Sequence, residues 1–348
     1  MTVSCTAWRF VQPIKLPCRI VFAGPHFQAA LPFTRDVLAK RKLPNSQIQL
    51  LHAPCDDSLL EMAPEAHVAL PFMQHFNAEF LERATDLRLV MQYGVGLEGV
   101  NVQRATQLGI AVSNIPSLQT GNAQATAEHA LFLSISLLRY AMNELSRRFV
   151  SGELGGLPIP RTLKGKHVTV VGYGAVGYTL CRYLLMMGSK VTAVRQAEWS
   201  NDVSLHIRRV TNLREALPTT QLLILACTMT PETYHILNRE TISLLPHGAL
   251  VVNVGRGPLV QYEAILEALQ SGAVGGFASD VGVGHPTKPS EPWDPNDVLS
   301  KHPNTLFTPH VGGYCDTSYS RMANCVVDAV ECVIRGHAPP IWVNRDTF

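Results

Sequence analysis

Two short segments of this sequence carry groups able to do chemistry, each placed just after an apolar run. Val252-Asn253-Val254-Gly255-Arg256-Gly257 sets an arginine between two glycines. A guanidinium fork matches a carboxylate through two parallel hydrogen bonds. Thr308-Pro309-His310-Val311-Gly312-Gly313 sets a histidine beside proline and glycine. An imidazole titrates close to neutrality and is the side chain best suited to give and take a proton there. Between the two segments lie Asp280 and then Glu291-Pro292. Taken singly, Arg256 is as readily a surface residue in a turn, and His310 a structural histidine. Together they meet the needs of hydride transfer to a 2-keto acid. A cation holds the carboxylate and polarises the carbonyl, and an imidazole beside a carboxylate supplies the proton.

A third segment supplies a place for the hydride donor. In His167-Val-Thr-Val-Val-Gly172-Tyr-Gly174-Ala175-Val176-Gly177 the glycines directly follow an apolar run and open an apolar helix, the context in which a glycine-rich loop binds a dinucleotide. Gly172 permits the tight turn, Gly174 lets the pyrophosphate approach the backbone, and Gly177 lets the helix pack close to the strand. The helix start at Ala175 and Val176 offers amides and a positive dipole end to the anion. The next strand should end in a carboxylate if the ribose 2′-hydroxyl of NAD is to be bound. This one ends Val194-Arg195-Gln196, with Arg195 18 residues past Gly177. A guanidinium there suits a 2′-phosphate, so NADP is favoured and NAD stays possible.

These segments need a scaffold that brings them to one edge, and the rest of the chain supplies the pattern of one. Short apolar runs at Arg19–Ala23, Gln47–Leu51, His67–Leu70, Leu87–Gln92 and Ile110–Ser113 read as strands, with helical patterns at Thr34–Lys40, Ala78–Ala84 and Val102–Leu108. A long helix over Asn122–Val150 follows, then a polar stretch, Ser151–Gly165. A second series places strands at His167–Val171, Lys190–Val194, Gln221–Ala226, Ala249–Val254, Gly276–Ser279 and Thr305–Thr308. Its helices fall at Ala175–Met187, Leu213–Leu217, Arg239–Leu244 and Tyr262–Ser271, and a last amphipathic helix covers Thr317–Arg335. Such alternation predicts an α/β fold of parallel sheets covered on both faces, with the chemistry at the C-terminal strand ends. If the last helix packs back on the first series, the first domain is discontinuous. The expected division is 1–117 with 314–348 as substrate domain, and 118–313 as dinucleotide-binding domain.

Composition narrows the alternatives. Of 348 residues, 46% are hydrophobic and 16% charged, and the net charge is +2 with no block of one sign, so neither nucleic acid nor a membrane surface is an expected partner. The apolar stretch Ala127–Met142 is interrupted by Glu128, His129 and Arg139 and is too short to span a bilayer. The eight cysteines form no CxxC pair, so no metal site is expected, and buried or free thiols fit a reducing, cytoplasmic compartment.

With these segments in view, the sequence resembles the D-isomer-specific 2-hydroxyacid dehydrogenases, from about Leu87 to Val343 and more weakly toward the N-terminus. The resemblance rests on Gln92-Tyr-Gly94-Val95-Gly96-Leu-Glu-Gly-Val-Asn101, Ala127-Glu-His129, the glycine loop, Thr230-Pro-Glu-Thr233, Asn253-Val-Gly-Arg256-Gly257, Ser279-Asp280-Val281 and Thr308-Pro-His310 in the family's order. It implies two Rossmann or flavodoxin-like domains with the active site in the cleft between them. It implies that His310 is the acid-base, that Arg256 binds the substrate carboxylate and carbonyl, and that the Gly94-Val95-Gly96 amides also bind the carboxylate. Asp280 would hold the nicotinamide carboxamide, and the Ala127–Tyr140 helix would sit in a homodimer interface. The family's catalytic Glu-Pro stands five residues after the Asp, where this chain has His285-Pro286. Glu291-Pro292 comes eleven residues after Asp280, followed by Trp-Asp-Pro-Asn-Asp297, as if displaced by an insertion. Glu291 is therefore the expected partner of His310, with His285 as the other candidate. The implied activity is reduction of glyoxylate, hydroxypyruvate or a similar acid. Phosphoglycerate dehydrogenase and nucleotide-sensing corepressors on the same fold are the alternatives. Phe72, Met73 and Gln74 after the third strand either line the substrate pocket or pack the core.

Overall fold

Apolar runs rich in Val, Ile and Leu become strands here, and their pairing is parallel throughout both sheets. The computed structural model describes residues 8–12, 14–24, 29–42, 47–72, 74–116, 120–140, 145–154, 159–199, 205–282 and 297–345. The chain divides into two units, Met1–Gly121 with Cys315–Phe348, and Asn122–Tyr314.

The first unit runs β1 (Cys18–Ala23), α1 (Ala30–Lys40), β2 (Ile48–Ala53), α2 (Asp56–Met62), β3 (Val68–Pro71), α3 (Ala78–Arg83), β4 (Leu89–Met91), α4 (Val102–Gln107) and β5 (Ala111–Ser113). Its sheet has the order β2-β1-β3-β4-β5. A parallel strand needs cover on both faces, and successive residues of β1 face opposite ways. Ile20 and Phe22 enter one core with Met322, Val326 and Val330 of the helix Asp316–Ile334, while Val21 and Ala23 enter another with Leu59 and Phe80. The late helix thus completes the early sheet. Phe72 is 5% exposed and stacks on Phe22 at 5.7 Å, so it packs this core. Met73 lies outside the described residues.

The second unit runs α5 (Asn122–Arg139), α6 (Ser146–Val150), β6 (His167–Val171), α7 (Ala175–Met186), β7 (Lys190–Val194), β8 (Arg208–Val210), β9 (Leu222–Leu225), α8 (Arg239–Ser243), β10 (Ala249–Asn253), α9 (Tyr262–Gln270), β11 (Val274–Ser279) and β12 (Thr305–Phe307). The sheet order is β12-β11-β10-β9-β6-β7-β8. The chain leaves β6 toward β7 and β8, then returns to β9 on the other side of β6, which creates a topological switch point at the β6/β9 edge. Val168, Val170, Ile224 and Val252 pack under α5 and α7, and Val171, Leu223, Val251 and Phe277 pack on the opposite face.

Two helices differ from the periodicity. The long helix expected over Asn122–Val150 ends at Arg139, because Tyr140 takes a left-handed φ of 54° that stops the helical hydrogen-bond run. Leu213–Leu217 forms two short 3₁₀ turns, Leu213–Glu215 and Leu217–Thr219, the second with a proline in its first turn. Pro218 has no amide to continue one α-helix through this point. Among the described residues no helix is long and apolar enough to cross a membrane. The described cysteines are free, and burial pushes the Cys18 and Cys181 thiols up to about 12, so they behave as small apolar side chains.

The tail of the chain is held to β5 by the Val343 N to Val112 O bond at 2.8 Å and by one side chain. Asn344 is fully buried. Its Oδ1 accepts from Val112 N at 2.8 Å and Trp342 Nε1 at 3.0 Å, and its Nδ2 donates to Thr106 Oγ1 at 2.9 Å and Ile110 O at 3.0 Å. These are the two acceptor and two donor positions an amide has. Asn344→Leu keeps the volume and orphans the buried Val112 amide and Ile110 carbonyl. We expect a loss of about 1–3 kcal/mol in urea unfolding; an unchanged midpoint would contradict this role.

Candidate active site

The glycine loop closes by contacts that leave no space for side chains. Gly172 has φ 98°, and a Cβ there would lie 2.7 Å from the Cys227 backbone. A Cβ on Gly177 would collide with the Gly172 carbonyl. Gly174 faces open space and is the N-cap of α7, with no side chain capping the helix. The first amide bonded within the helix is that of Tyr178, to Gly174 O at 2.9 Å. An uncapped helix start beneath a bare glycine is a fitting cradle for a pyrophosphate. It stands at the switch point of the sheet, where open α/β sheets bind ligands.

A cleft of about 540 Å³ opens beside the loop, lined by Gly172, Arg195, Gln196, Arg214, Thr228 and Tyr234 among others. Arg195 directly follows β7, and its amide bonds Val210 O of β8 at 3.1 Å, so the strand ladder fixes its backbone at the cleft. Arg214 is a second guanidinium in this cleft, its Nη1 paired with Glu240 Oε1 at 2.6 Å. No carboxylate stands at the end of β7, in the slot that would accept from a ribose 2′-hydroxyl.

Arg256, Asp280 and His310 follow β10, β11 and β12, three neighbouring strands whose register carries all three to the C-terminal edge. The ladder continues past the strands, with Asp280 N on Asn253 O and Thr308 N on Ser279 O, both at 3.0 Å. The Arg256 turn is shaped by Asn253, which accepts from Gly255 N at 3.0 Å and donates to Arg256 O at 2.8 Å. A Cβ on Gly255 would lie 2.7 Å from Cys227 O, so the turn needs glycine there.

Asp280 is the hub. It is 3% exposed, and its Oδ1 accepts from Thr308 Oγ1 at 2.6 Å and Val311 N at 2.9 Å, its Oδ2 from Gly312 N at 2.7 Å. His129 Nε2, on α5, lies 3.2 Å from Oδ1. Burial pushes the carboxyl pKa up, but the hydrogen bonds from His129, Thr308 and Gly312 and the attraction of His129 outweigh it and hold the group below its ordinary value. The loop Thr308–Gly312 is thereby tied on both sides of His310, whose backbone takes a left-handed φ of 56°. A Cβ on Gly312 would meet Asp280 Oδ2 at 2.7 Å, and one on Gly313 would collide with the Asn122 side chain. Because the Asp280 carboxylate is pinned by its donors, Gly312 is a condition for this closure.

Gly94, Val95 and Gly96 belong to the other unit, in a turn after β4 held by Ile115 N on Gly94 O and Asn114 Nδ2 on Val95 O, each at 2.9 Å. Val95 is 45% exposed. Glu291 and His285 lie outside the described residues. Sequence reasoning singles out Asp280 but gives no role to Thr308 or His129, its two side-chain partners. The signal available is a hydroxyl directly after an apolar run and an imidazole in the middle of an apolar helix, elements that the α/β order brings together. Among the described residues, no cluster of His, Cys, Asp or Glu is arranged to hold a metal ion.

Asp280→Asn replaces an acceptor oxygen by an amide that faces donors. A carboxyl held below its unfolded value contributes stability that is present above about pH 3.9 and is lost as the pH falls through the folded value. We expect the variant to be less stable by about 1–3 kcal/mol at pH 7. Denaturation at stepped pH should show the gap to the wild type closing below about pH 4; a gap independent of pH would contradict the assignment.

Residues 132–312 match the D-isomer specific 2-hydroxyacid dehydrogenase, NAD binding domain, about half of the chain. The glyoxylate reductase of Pyrococcus furiosus is 29% identical over 305 residues, covering 84% of this chain and 86% of that protein. That of Thermococcus litoralis is 27% identical over 336 residues, covering 90% and 97%. The TT0316 protein of Thermus thermophilus superposes with a TM-score of 0.79 at 28% identity, over 93% of this chain and 99% of that chain. An NADPH-dependent glyoxylate/hydroxypyruvate reductase of Sinorhizobium meliloti, solved with NADP and malonate, shares the fold at a TM-score of 0.78 and 23% identity, over 94% and 97% of the two chains. With the glycine cradle at the switch point and the arginine, aspartate and histidine on neighbouring strand ends, the chain belongs to the D-isomer-specific 2-hydroxyacid dehydrogenases and is an NAD(P)-dependent oxidoreductase.

Proposed function

We propose that this enzyme is an NADPH-preferring reductase of short 2-keto acids, with glyoxylate or hydroxypyruvate as its kind of substrate. The observation that carries the reading is the alignment of Arg256, Asp280 and His310 on the ends of β10, β11 and β12, in the same sheet as the glycine cradle. Cofactor choice rests on Arg195, a guanidinium lining the cleft where an NAD-binding strand would end in a carboxylate. The names of the relatives point the same way: two are glyoxylate reductases, and the Sinorhizobium protein is NADPH-dependent. The unit Asn122–Tyr314 is the dinucleotide-binding domain, and the unit Met1–Gly121 with Cys315–Phe348 is the substrate domain.

The residues divide the work by their chemistry. The α7 amides and the bare Gly174 bind the pyrophosphate, and Arg195 pairs with the 2′-phosphate. A carboxylate oxygen accepts more than once, so Asp280 would also hold the nicotinamide carboxamide. Arg256 binds the substrate carboxylate and draws electrons from the C2 carbonyl, assisted in carboxylate binding by the amides of Gly94, Val95 and Gly96. The reduced nicotinamide, when bound, supplies the hydride to C2. The C2 oxygen takes its proton from the His310 imidazolium, leaving the 2-hydroxy acid and the oxidised cofactor. Glu291 is the carboxylate we assign as partner of His310.

The test is NADPH and NADH oxidation, followed by absorbance with a panel of 2-keto acids. We expect turnover of glyoxylate with a higher kcat/KM for NADPH. Arg195→Ala should lower kcat/KM for NADPH about 10- to 100-fold, the loss of one charge-assisted contact, and change that for NADH little. His310→Asn should lower kcat about 10²- to 10⁴-fold. Binding of NADPH without turnover of any keto acid would overturn the reading, and a large preference for NADH would overturn the cofactor choice.

A further inference from the structure

The hydride-transfer chemistry above leaves unused a largely buried imidazole that touches Asp280. His129 stands in the middle of α5 among Ala127, Ala130 and Leu133, each fully buried. Its side chain is 16% exposed, and its Nε2 lies 2.8 Å from Thr308 Oγ1 and 3.2 Å from Asp280 Oδ1. Proton counting gives the direction of these contacts. The Thr308 hydroxyl has one hydrogen, and at 2.6 Å from the Asp280 carboxylate that hydrogen goes to the carboxylate. Thr308 Oγ1 therefore faces His129 as an acceptor, and Nε2 carries the hydrogen, directed between the two oxygens. An imidazole in this place is a donor to the hub of the site.

We propose that His129 is a positioning residue for His310, acting through Asp280 and Thr308. The contacts form one continuous chain. His129 Nε2 fixes the Asp280 carboxylate in rotation, and the carboxylate takes Thr308 Oγ1 on one side of His310 and the Val311 and Gly312 amides on the other. His310 sits between these anchors with φ 56°, a backbone conformation that disfavours any residue with a Cβ and persists only where its surroundings over-determine it. Without the His129 donor the carboxylate can turn about its last torsion. The anchors then loosen together, and the imidazole of His310 drifts from the line of proton transfer. A displacement of about 1 Å at a reacting group costs about 10²-fold in rate.

The inference rests on His310 being the proton donor, and the experiment separates the two ideas. Steady-state reduction of glyoxylate by NADPH is measured on the full chain for H129L, H129Q, T308V, H129L/T308V and H310N, with NADPH affinity from fluorescence titration. We expect H129L to lower kcat about 10- to 100-fold, with the KM for glyoxylate and the NADPH affinity within about threefold of the wild type. H129Q places an amide nitrogen where Nε2 stands and should recover most of kcat. T308V should resemble H129L, and the double variant should cost little more than either alone, because both break one network. Wild-type kcat in H129L, beside an inactive H310N, overturns the proposal and spares the reading of His310. Failure of H129Q to recover kcat overturns the donor role, as does a full multiplicative loss in the double variant. If H129L alone folds poorly, T308V and H129Q still decide the matter. An active H310N overturns the reading of His310 itself.

Discussion

A single buried carboxylate organises the catalytic edge of this enzyme. Asp280 is almost wholly removed from water, which by itself would favour its neutral form. It stays ionised because two backbone amides, a hydroxyl and an imidazole all point at it. The cost of burying the charge and the geometry of the loop are therefore one problem with one solution. Three of these four donors, Thr308, Val311 and Gly312, bracket His310, so the ordering of the loop is largely the solvation of the carboxylate. A neutral side chain at this position would have no reason to gather them.

The fold makes that solution available. Parallel strands in neighbouring register end at the same edge, and the loops that follow them start within a strand spacing of one another. β10, β11 and β12 contribute a guanidinium, a carboxylate and an imidazole in this way, and β6 contributes the glycine turn at the switch point. α5, packed beneath the same strands, contributes His129 and also Asn122, whose Nδ2 lies 3.5 Å from Gly313 O. Glycines at 172, 177, 255 and 312 stand where backbone or carboxylate comes too close for a Cβ. At each of these points a loop is pressed against its neighbour, which is why the residues with chemistry can be held by short, stiff connections.

Much of this is legible in the sequence, for reasons that are physical. A strand buried on both faces must be a continuous apolar run, so Val168–Val171 and Leu222–Leu225 announce themselves. The glycine loop is a local feature whose turn, approach and helix start all lie within a dozen residues. β8 is hidden because Arg208-Arg209-Val210 offers a single apolar side chain, and its pairing with β7 comes from backbone bonds. The end of α5 is hidden because its left-handed stop is made by Tyr140, with no glycine to mark it. Phe72 reads equally as pocket or core, and only the stacking on Phe22 decides it. The partnership of His129, Thr308 and Asp280 joins three distant segments, so no spacing rule within one segment reveals it; it follows only once sheet order and helix placement are known.

If the Asp280 network presents His310 to a 2-keto acid held by Arg256, a crystal structure of the enzyme with NADP and oxamate, an inert 2-keto acid mimic, will display it. The oxamate carboxylate should lie on the Arg256 guanidinium, its amide oxygen within hydrogen-bonding distance of the His310 imidazole, and the Asp280 carboxylate should still be bound to the Val311 and Gly312 amides. Oxamate bound away from Arg256, or a His310 imidazole turned from the ligand while the Asp280 contacts persist, would refute this arrangement.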